Sequence, residues 1–292
     1  IQILKTKNNF IIKGELLDGT SIINKFLNED NDKVNILKEK NTKINVKIKK
    51  LYLNKKDYVN NLDGKITLRK GEIFDLDFLS YFPNKEALIF NIKLNSEGNK
   101  VTTLTTNFPK PLVSRYKFIQ GFEEGVLDLQ TISQNEISDS TLVIDNFKVK
   151  KIPVLAKILT LASLQGIADL LTGEGIRFTD FEMKSSKVNN LTTIEEIYAI
   201  GPAISLMMEG YIEKDQVVSL KGTLVPATTI NRTISSIPLI GDILVGKKVG
   251  EGVFGVSFKI KGHPNNLKTT VNPIKTLTPR FITRTLEKIK KN

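Results

Sequence analysis

The chain has 292 residues, of which 40% are hydrophobic, with no cysteine, no tryptophan and a formal net charge of +12 at pH 7. The absence of cysteine excludes disulfides and thiolate metal sites, and no run of about 18 uncharged apolar residues is present that would form a membrane-spanning helix. A chain of this length accommodates one long domain or two ordinary ones.

The positive charge is unevenly distributed along the chain. The formal charge is +7 over residues 1–110, −4 over residues 111–230 and +9 over residues 231–292. Nucleic-acid-binding proteins usually combine a basic stripe with interleaved aromatic side chains. Here most phenylalanines occupy apolar positions of predicted strands, so we predict no nucleic-acid partner. The basic C-terminal quarter needs another explanation.

Four segments alternate apolar and polar residues with a period of two, which is typical of strands with one apolar and one solvated face. They are KINVKIK (43–49), EIFDLDF (72–78), LIFNIKLN (88–95) and VSFKIKG (256–262). The side chains predicted to form the apolar face are Ile44, Val46, Ile48, Phe74, Leu76, Phe78, Leu88, Phe90, Ile92, Val256, Phe258 and Ile260.

Polar turn signals at residues 69–72, 95–100, 123–125 and 213–216 lie between the strand-like segments. Short connections of this kind predict antiparallel pairing, since parallel strands need long crossovers. We therefore predict a mainly β chain in which a long, twisted antiparallel sheet curls into a groove, with a few amphipathic helices.

Two amphipathic helices are predicted in the second half of the chain. The first covers residues 153–172, with Pro153 in its first turn and Gly173 as its stop. The second covers residues 279–291, where basic residues flank an apolar stripe. Helices of this type lie on anionic membrane surfaces; the alternative is a terminal helix docked on the sheet with its lysines in water. The membrane-contact candidates are Arg280, Phe281, Arg284, Leu286, Lys288, Ile289 and Lys291.

Two glycine motifs resemble nucleotide-binding loops, but neither has the required context. Residues 241–248 read GDILVGKK, with Lys248 where a phosphate loop needs Ser or Thr and with apolar residues in the loop interior. Residues 250–255 read GEGVFG, and an alternating strand follows them instead of the helix that a dinucleotide site requires. We interpret these glycines as shaping the chain, and we predict no cofactor.

The remaining chemistry-bearing residues do not form a recognisable active site. His263 is the only histidine and lies in a turn-like segment, KGHPNN. Asp75 and Asp77 share one strand face as an acid pair in a glycosidase would, yet charges at alternate strand positions usually mark the solvated face. We apply the same interpretation to Glu195 and Glu196. We therefore predict no catalytic residue and no metal site.

From residue 151 onward, six blocks occur in a recognisable order. They are PVLAKILTLASLQGIADLLTGEGIRF, GPAISLMMEGYI, GTLVPA, IPLIGDILVG, GEGVFGVSFKIKG and VNPIKTLTPRF. This order closely resembles the C-terminal region of AsmA-like bacterial envelope proteins, in the YhdP branch. Residues 1–150 resemble the family only in their strand pattern.

The resemblance implies a non-enzymatic segment of a bridge-like protein that moves phospholipids between the inner and outer membranes. It implies a periplasmic location in the cell envelope, with the parent protein anchored by an N-terminal helix that precedes this piece. The expected organisation is one continuous C-terminal piece, with a β-groove segment at 1–150 and a C-terminal region at 151–292 whose helix 153–172 caps the groove. The expected partners are phospholipid acyl chains, a membrane surface near the C-terminus and envelope proteins of unknown identity.

A second interpretation uses the same alternating pattern. The apolar faces could press against each other in an ordinary closed β core, and the chain would then serve as an envelope scaffold or assembly factor without lipid. A third, weaker one is a membrane-surface or nucleic-acid binder driven by the basic C-terminal segment.

Overall fold

The fold is described from a computed structural model over residues 1–7, 9–21, 23, 41–70, 72–116, 119–226 and 255–274. Strands account for most of these residues. In chain order, β1 to β15 are Gln2–Thr6, Asn9–Asp18, Thr42–Tyr52, Tyr58–Arg69, Glu72–Tyr81, Ala87–Leu94, Lys100–Thr106, Gln120–Gln134, Ile137–Lys150, Ile176–Val188, Leu191–Ile200, Ile204–Glu213, Val217–Pro226, Gly255–His263 and Asn266–Ile274.

All fifteen strands belong to one sheet, and their order in the sheet is their order in the chain, with β1 and β15 at its two ends. This confirms the predicted fold class, a mainly β chain built on a long sheet. It follows from the alternating pattern, because each strand offers one apolar face and short polar turns connect it to its neighbour.

One pair of strands departs from the predicted antiparallel pairing. β2 and β3 run parallel, with Ile12 opposite Val46. A parallel pair needs a crossover of a dozen or more residues, and the chain provides residues 19–41 between the two strands. The crossover begins at Gly19, after Asp18 accepts a hydrogen bond of 2.9 Å from the Thr20 backbone N–H.

The chain forms two compact units. Unit 1 contains Ile1–Leu112 and Glu124–Thr141, and unit 2 contains Val113–Glu123 and Leu142–Asn292. Strands β8 and β9 contribute residues to both. The division that the sequence suggested, at residue 150, falls at the end of β9 within unit 2.

Three short helices are present in the described part of the chain: α1 (Lys110–Val113), α2 (Pro153–Leu161) and α3 (Gln165–Thr172). The prediction of a single helix over 153–172 is therefore wrong. Ser163 adopts φ of 60°, a left-handed conformation that ends α2 and turns the chain into α3. The two helices pack on each other as a helical hairpin. The predicted helix at 279–291 lies outside the described residues.

The predicted turn at residues 123–125 is also wrong, because β8 runs through it. Glu124 and Gly125 have φ of 62° and 94°, backbone values that interrupt a strand's regular pleat without ending it. Such a pair of residues kinks a strand as a β-bulge does. Local composition does not distinguish such a kink from a hairpin turn, since both favour glycine and polar residues.

Two phenylalanines cover glycines on the neighbouring strand. Phe78 is opposite Gly64 and Phe258 is opposite Gly222. A Cβ on either glycine would overlap the phenylalanine ring and a backbone carbonyl. The rings therefore lie flat on the sheet where a side chain is missing, an arrangement that fixes strand register.

Gly64→Ala should lower the free energy of unfolding by about 1–3 kcal/mol, since the added methyl has no space beneath Phe78. Gly166→Ala is the matched control: a Cβ at this position in α3 meets nothing within 4 Å, and alanine favours a helix over glycine by up to about 1 kcal/mol. Urea denaturation followed by circular dichroism measures both. Equal effects of the two substitutions would contradict the packing described.

Candidate functional site

In unit 1 the predicted apolar side chains share one face of the sheet. Rows of cross-strand partners run across it: one joins Ile44, Ile66, Leu76 and Ile92, and the next joins Val46, Gly64, Phe78, Phe90 and Leu104. We call this surface the apolar face of unit 1, and the opposite surface its polar face. Eight of the nine residues of this unit that the sequence pattern predicted for the apolar face do lie on it: Ile44, Val46, Ile48, Leu76, Phe78, Leu88, Phe90 and Ile92.

Phe74, the ninth candidate, lies at an irregularity in the ladder. The pairing of β4 with β5 shifts by one residue between Thr67 and Leu68, leaving Phe74 without a direct partner. The guanidinium carbon of Arg69 lies 3.3 Å from the centre of the Phe74 ring. A cation stacked on an aromatic face is an attractive contact, so this ring is covered by its own hairpin.

Exposure on the apolar face of unit 1 changes along the sheet. Ile48 on β3 is 1% exposed, whereas Ile3, on the same face of the edge strand β1, is 64% exposed. Ile44, Phe78 and Phe90 are half-buried. Neighbouring side chains on β2 to β5 pack together around Val46, Ile48 and Leu62, so the face is closely packed at β3 and open at β1.

One end of the apolar face of unit 1 is covered by connecting segments. Phe82 and Phe108 meet edge to face with ring centres 5.3 Å apart. Leu112 of α1 and Ile23 join the same cluster, which also includes Leu88 of β6. The loops that follow β2, β5 and β7 therefore shield this end from water.

Unit 2 has an apolar face of its own, formed by the other three candidates and their partners. Val256 is opposite Leu224, Phe258 opposite Gly222 and Ile260 opposite Leu220. The rows continue onto β12, where Leu206, Met208 and Gly210 are the next partners. We call this surface the apolar face of unit 2 and the opposite one its polar face. Val256, Phe258 and Ile260 are all buried.

The end of unit 2 that carries the helical hairpin is closed on both faces. Leu224 and Val225 are consecutive strand residues and so point to opposite faces, yet both are 0% exposed. The hairpin is anchored beside β10, where Gly175 N–H donates to Leu170 O at 2.7 Å, and α2 also packs on β15. We call this end the helix edge. The opposite end, with the turns at 188–191, 213–217 and 263–266, is the turn edge.

A row of phenylalanines in unit 2 was missed by the sequence reasoning. Phe122, Phe147 and Phe178 stack on successive strands β8, β9 and β10, with ring centres 5.2 Å and 5.5 Å apart. Phe181 meets Phe147 edge to face. The available signal was the phenylalanine in each of GFEEG, NFKV and RFTDF, but only the strand register shows that they are neighbours.

The turn edge of unit 2 holds two lysines close together. Burial, followed by the charge of the Lys214 ammonium group, lowers the pKa of Lys187 below its ordinary value of 10.5. The β12–β13 turn is tied to the β10–β11 turn, because Lys214 N–H donates to Asn190 O at 2.9 Å. The two turns that carry these lysines are thus joined by a backbone hydrogen bond.

The polar face of unit 2 contains an open depression of about 520 Å³. None of the twelve apolar-face candidates lines it. Its walls include exposed Leu191 and Tyr211, and Glu209, which pairs with Lys221 at 3.0 Å. The register shift between Ile194 and Ile197 lies at this depression, which Ile194 and Glu195 help to line.

The same irregularity corrects the prediction for the two adjacent glutamates. Glu195 is exposed as predicted, but Glu196 is only 6% exposed. Because β11 carries an extra residue at the shift, Glu196 comes opposite Lys184 on β10 and is enclosed there. The alternation rule fails at a bulge, where two neighbouring residues no longer take opposite faces in the regular order.

The other titratable candidates lie at the surface. His263 is exposed in the β14–β15 turn, where its Nδ1 accepts a hydrogen bond of 3.2 Å from the Asn265 backbone N–H. Asp77 is exposed and Asp75 half-buried on the polar face of unit 1. Across the described residues, no group of three or more His, Asp and Glu side chains is placed to hold a metal ion.

Two further sets of candidates fall elsewhere. The seven membrane-contact residues between Arg280 and Lys291 and the glycine motif at 241–248 lie outside the described residues, as does the motif at 250–255 apart from Gly255. Among the helices that the structure describes, none has the length and apolar character needed to cross a membrane.

Comparison with known proteins gives no relative. No family model, no curated protein and no solved structure matches the chain.

Ile48→Ala should lower the free energy of unfolding by about 2–5 kcal/mol, because it leaves a cavity in a closely packed part of the apolar face. Ile3→Ala, on the same face at the exposed edge, should change it by less than about 0.5 kcal/mol. Chemical denaturation of both variants measures the difference. If Ile3→Ala were as destabilising as Ile48→Ala, the apolar face would not be open at β1.

Proposed function

We propose that the chain binds phospholipid acyl chains on its apolar faces and passes them along the sheet without chemical conversion. In this proposal it is the C-terminal part of a bridge-like, AsmA-like protein of the YhdP branch, located in the periplasm and moving phospholipid between the inner and outer membranes. The observation that carries the proposal is that fifteen strands form a single sheet, so the described strands supply no second sheet to cover its apolar side.

The energetics of acyl chains favour such a surface. Each methylene group removed from water contributes about 0.8 kcal/mol, so half-buried residues in two adjacent rows, such as Ile44 in one and Phe78 and Phe90 in the next, offer substantial stabilisation. Neighbouring rows are chemically alike, so a chain has little preference for one row over the next. A ligand held this way is retained against water and is still free to move from strand to strand.

In this proposal the helical hairpin closes one end of the lipid-binding surface of unit 2. It closes the helix edge of unit 2, where Leu159 and Leu171 are fully buried. Lipid would therefore be confined at that edge and would have access at the turn edge. The basic segment 279–291 would face an anionic membrane, where each lysine or arginine contributes about 1 kcal/mol.

A second candidate function is an envelope scaffold with a closed core. The observation that favours it is the near-complete burial of Ile48, Leu76 and Val256, since residues packed this closely need no ligand. In that case the exposed edge strand β1 would be the region through which the chain contacts other envelope components.

Photo-crosslinking separates the two functions. Benzoylphenylalanine replaces Phe90 or Phe78 on the apolar face of unit 1, and in control variants replaces Ile89 or Leu79, their exposed neighbours on the polar face. Lipid transfer predicts phospholipid adducts by mass spectrometry from the first pair and few from the second. Equal labelling from both pairs, or adducts from the controls alone, would favour the scaffold.

A further inference from the structure

The polar face of unit 2 carries a cluster of lysines on its last two strands. Lys261 on β14 is opposite Lys268 on β15. Lys259 precedes Lys261 by two positions on the same strand and therefore lies on the same face. All three side chains are exposed, and we call these three residues the basic patch. Strands β13, β14 and β15 contain no aspartate or glutamate, so the patch has no acidic neighbour on these strands.

The lysine that borders the basic patch on β13 has a carboxylate partner. Lys221 is opposite Lys259, and its ammonium group lies 3.0 Å from the Glu209 carboxylate on β12. Among the residues that the structure describes, no carboxylate forms such an ion pair with Lys259, Lys261 or Lys268. The positive charge of the patch is therefore not offset within the described part of the chain.

The polar face of unit 1 has a different arrangement of charge. There lysines lie opposite acidic residues of the next strand: Lys47 is opposite Asp63, with their charged groups 3.1 Å apart, and Lys65 is opposite Asp77. Opposite charges in such cross-strand pairs stabilise a sheet, whereas like charges placed directly opposite each other destabilise it. The lysine pair on β14 and β15 is thus an unfavourable arrangement, and an anionic partner on this face would relieve its repulsion.

The composition of the patch suits the surface of an anionic lipid bilayer. Its neighbours on the same face, Ser219, Ser257 and Thr270, carry hydroxyl groups, and neither an aromatic ring nor an arginine is among them. Single-stranded nucleic acids are held by stacking on aromatic rings, and protein interfaces depend most on Trp, Tyr and Arg. Lysine is a compact point charge that is attracted to anionic lipid without a fixed partner geometry.

We propose that the basic patch, Lys259, Lys261 and Lys268, binds the surface of an anionic lipid bilayer. The patch lies close to the β14–β15 turn and therefore borders the turn edge of unit 2. This inference does not require acyl chains on the apolar faces. Together with the proposed function, it brings the bilayer next to the edge at which lipid has access.

The test removes the patch and measures binding to vesicles. The patch variant carries Lys259→Gln, Lys261→Gln and Lys268→Gln. Co-sedimentation of the full chain is measured with vesicles of phosphatidylglycerol and phosphatidylcholine in equal amounts, and with vesicles of phosphatidylcholine alone. We expect the parent chain to bind the anionic vesicles more tightly and to be released as salt is added. The patch variant should bind the anionic vesicles about tenfold to a hundredfold more weakly than the parent chain.

A control variant lowers the net charge by the same amount on the other unit. It carries Lys43→Gln, Lys47→Gln and Lys65→Gln, which are exposed residues on the polar face of unit 1. It should bind the anionic vesicles as the parent chain does. Urea denaturation at low salt shows whether each variant is folded, and the patch variant should be at least as stable as the parent chain, because it loses a like-charged pair.

Other outcomes overturn the proposal in distinct ways. Equal weakening by both variants would mean attraction by net charge alone, and undiminished binding by the patch variant would place the contact in another basic part of the chain. A patch variant less stable than the parent chain would contradict the repulsion within the lysine pair. If the patch variant lost affinity for duplex DNA and kept its affinity for vesicles, the patch would be a nucleic-acid surface.

The proposal also fails if the parent chain binds neither type of vesicle, or binds both equally. None of these results bears on acyl chains at the apolar faces, since photo-crosslinking on the apolar face of unit 1 tests that function separately. Failure of the membrane contact is therefore distinguishable from failure of lipid binding.

Discussion

The structure depends on the alternation of side chains along a strand. Each strand sends apolar residues to one side and polar residues to the other, and because all the strands belong to one sheet, the apolar sides accumulate into extended surfaces. Burying such a surface is the main source of stability available to a β protein. The described part of the chain covers it in three ways: by packing neighbouring side chains on one another, as around Ile48, by laying Phe78 and Phe258 on glycines, and by placing loops and helices over one end in each unit. The turn edge and the edge strand β1 are left less covered.

This incomplete cover is the feature on which the proposed function rests. A closed hydrophobic core buries its residues uniformly, whereas here residues on one face range from fully buried Ile48 to largely exposed Ile3. Among the titratable candidates in the described part of the chain, His263 is in an exposed turn, and Asp75 and Asp77 are on the polar face of unit 1. A surface that is apolar and extended is suited to holding hydrocarbon chains, as the proposed function requires.

The sequence predicts the parts of the fold that depend on local pattern. Period-two segments became strands β3, β5, β6 and β14, and their cross-strand partners put eleven of twelve predicted residues on the apolar faces. The features of the fold that the sequence does not predict depend on backbone irregularities or on contacts between residues far apart in the chain. The kink at Glu124 and Gly125 and the break at Ser163 arise from residues with positive φ, and the shift that encloses Glu196 arises from one extra residue in β11. The parallel β2–β3 pair and the row of Phe122, Phe147 and Phe178 follow from which strands become neighbours, and alternation contains no information about that.

The central claim is that the apolar face accepts acyl chains while the polar face does not. Intermolecular nuclear Overhauser effects test it most directly, using a deuterated chain with protonated isoleucine methyl groups and a phospholipid with protonated acyl chains. Ile44 and Ile66 are half-buried partners on the apolar face of unit 1, and Ile89 is exposed on the polar face. Our account predicts cross-peaks from acyl methylene protons to Ile44 and Ile66 and none to Ile89. Cross-peaks to Ile89 alone, or to none of the three while the lipid is bound, would contradict it.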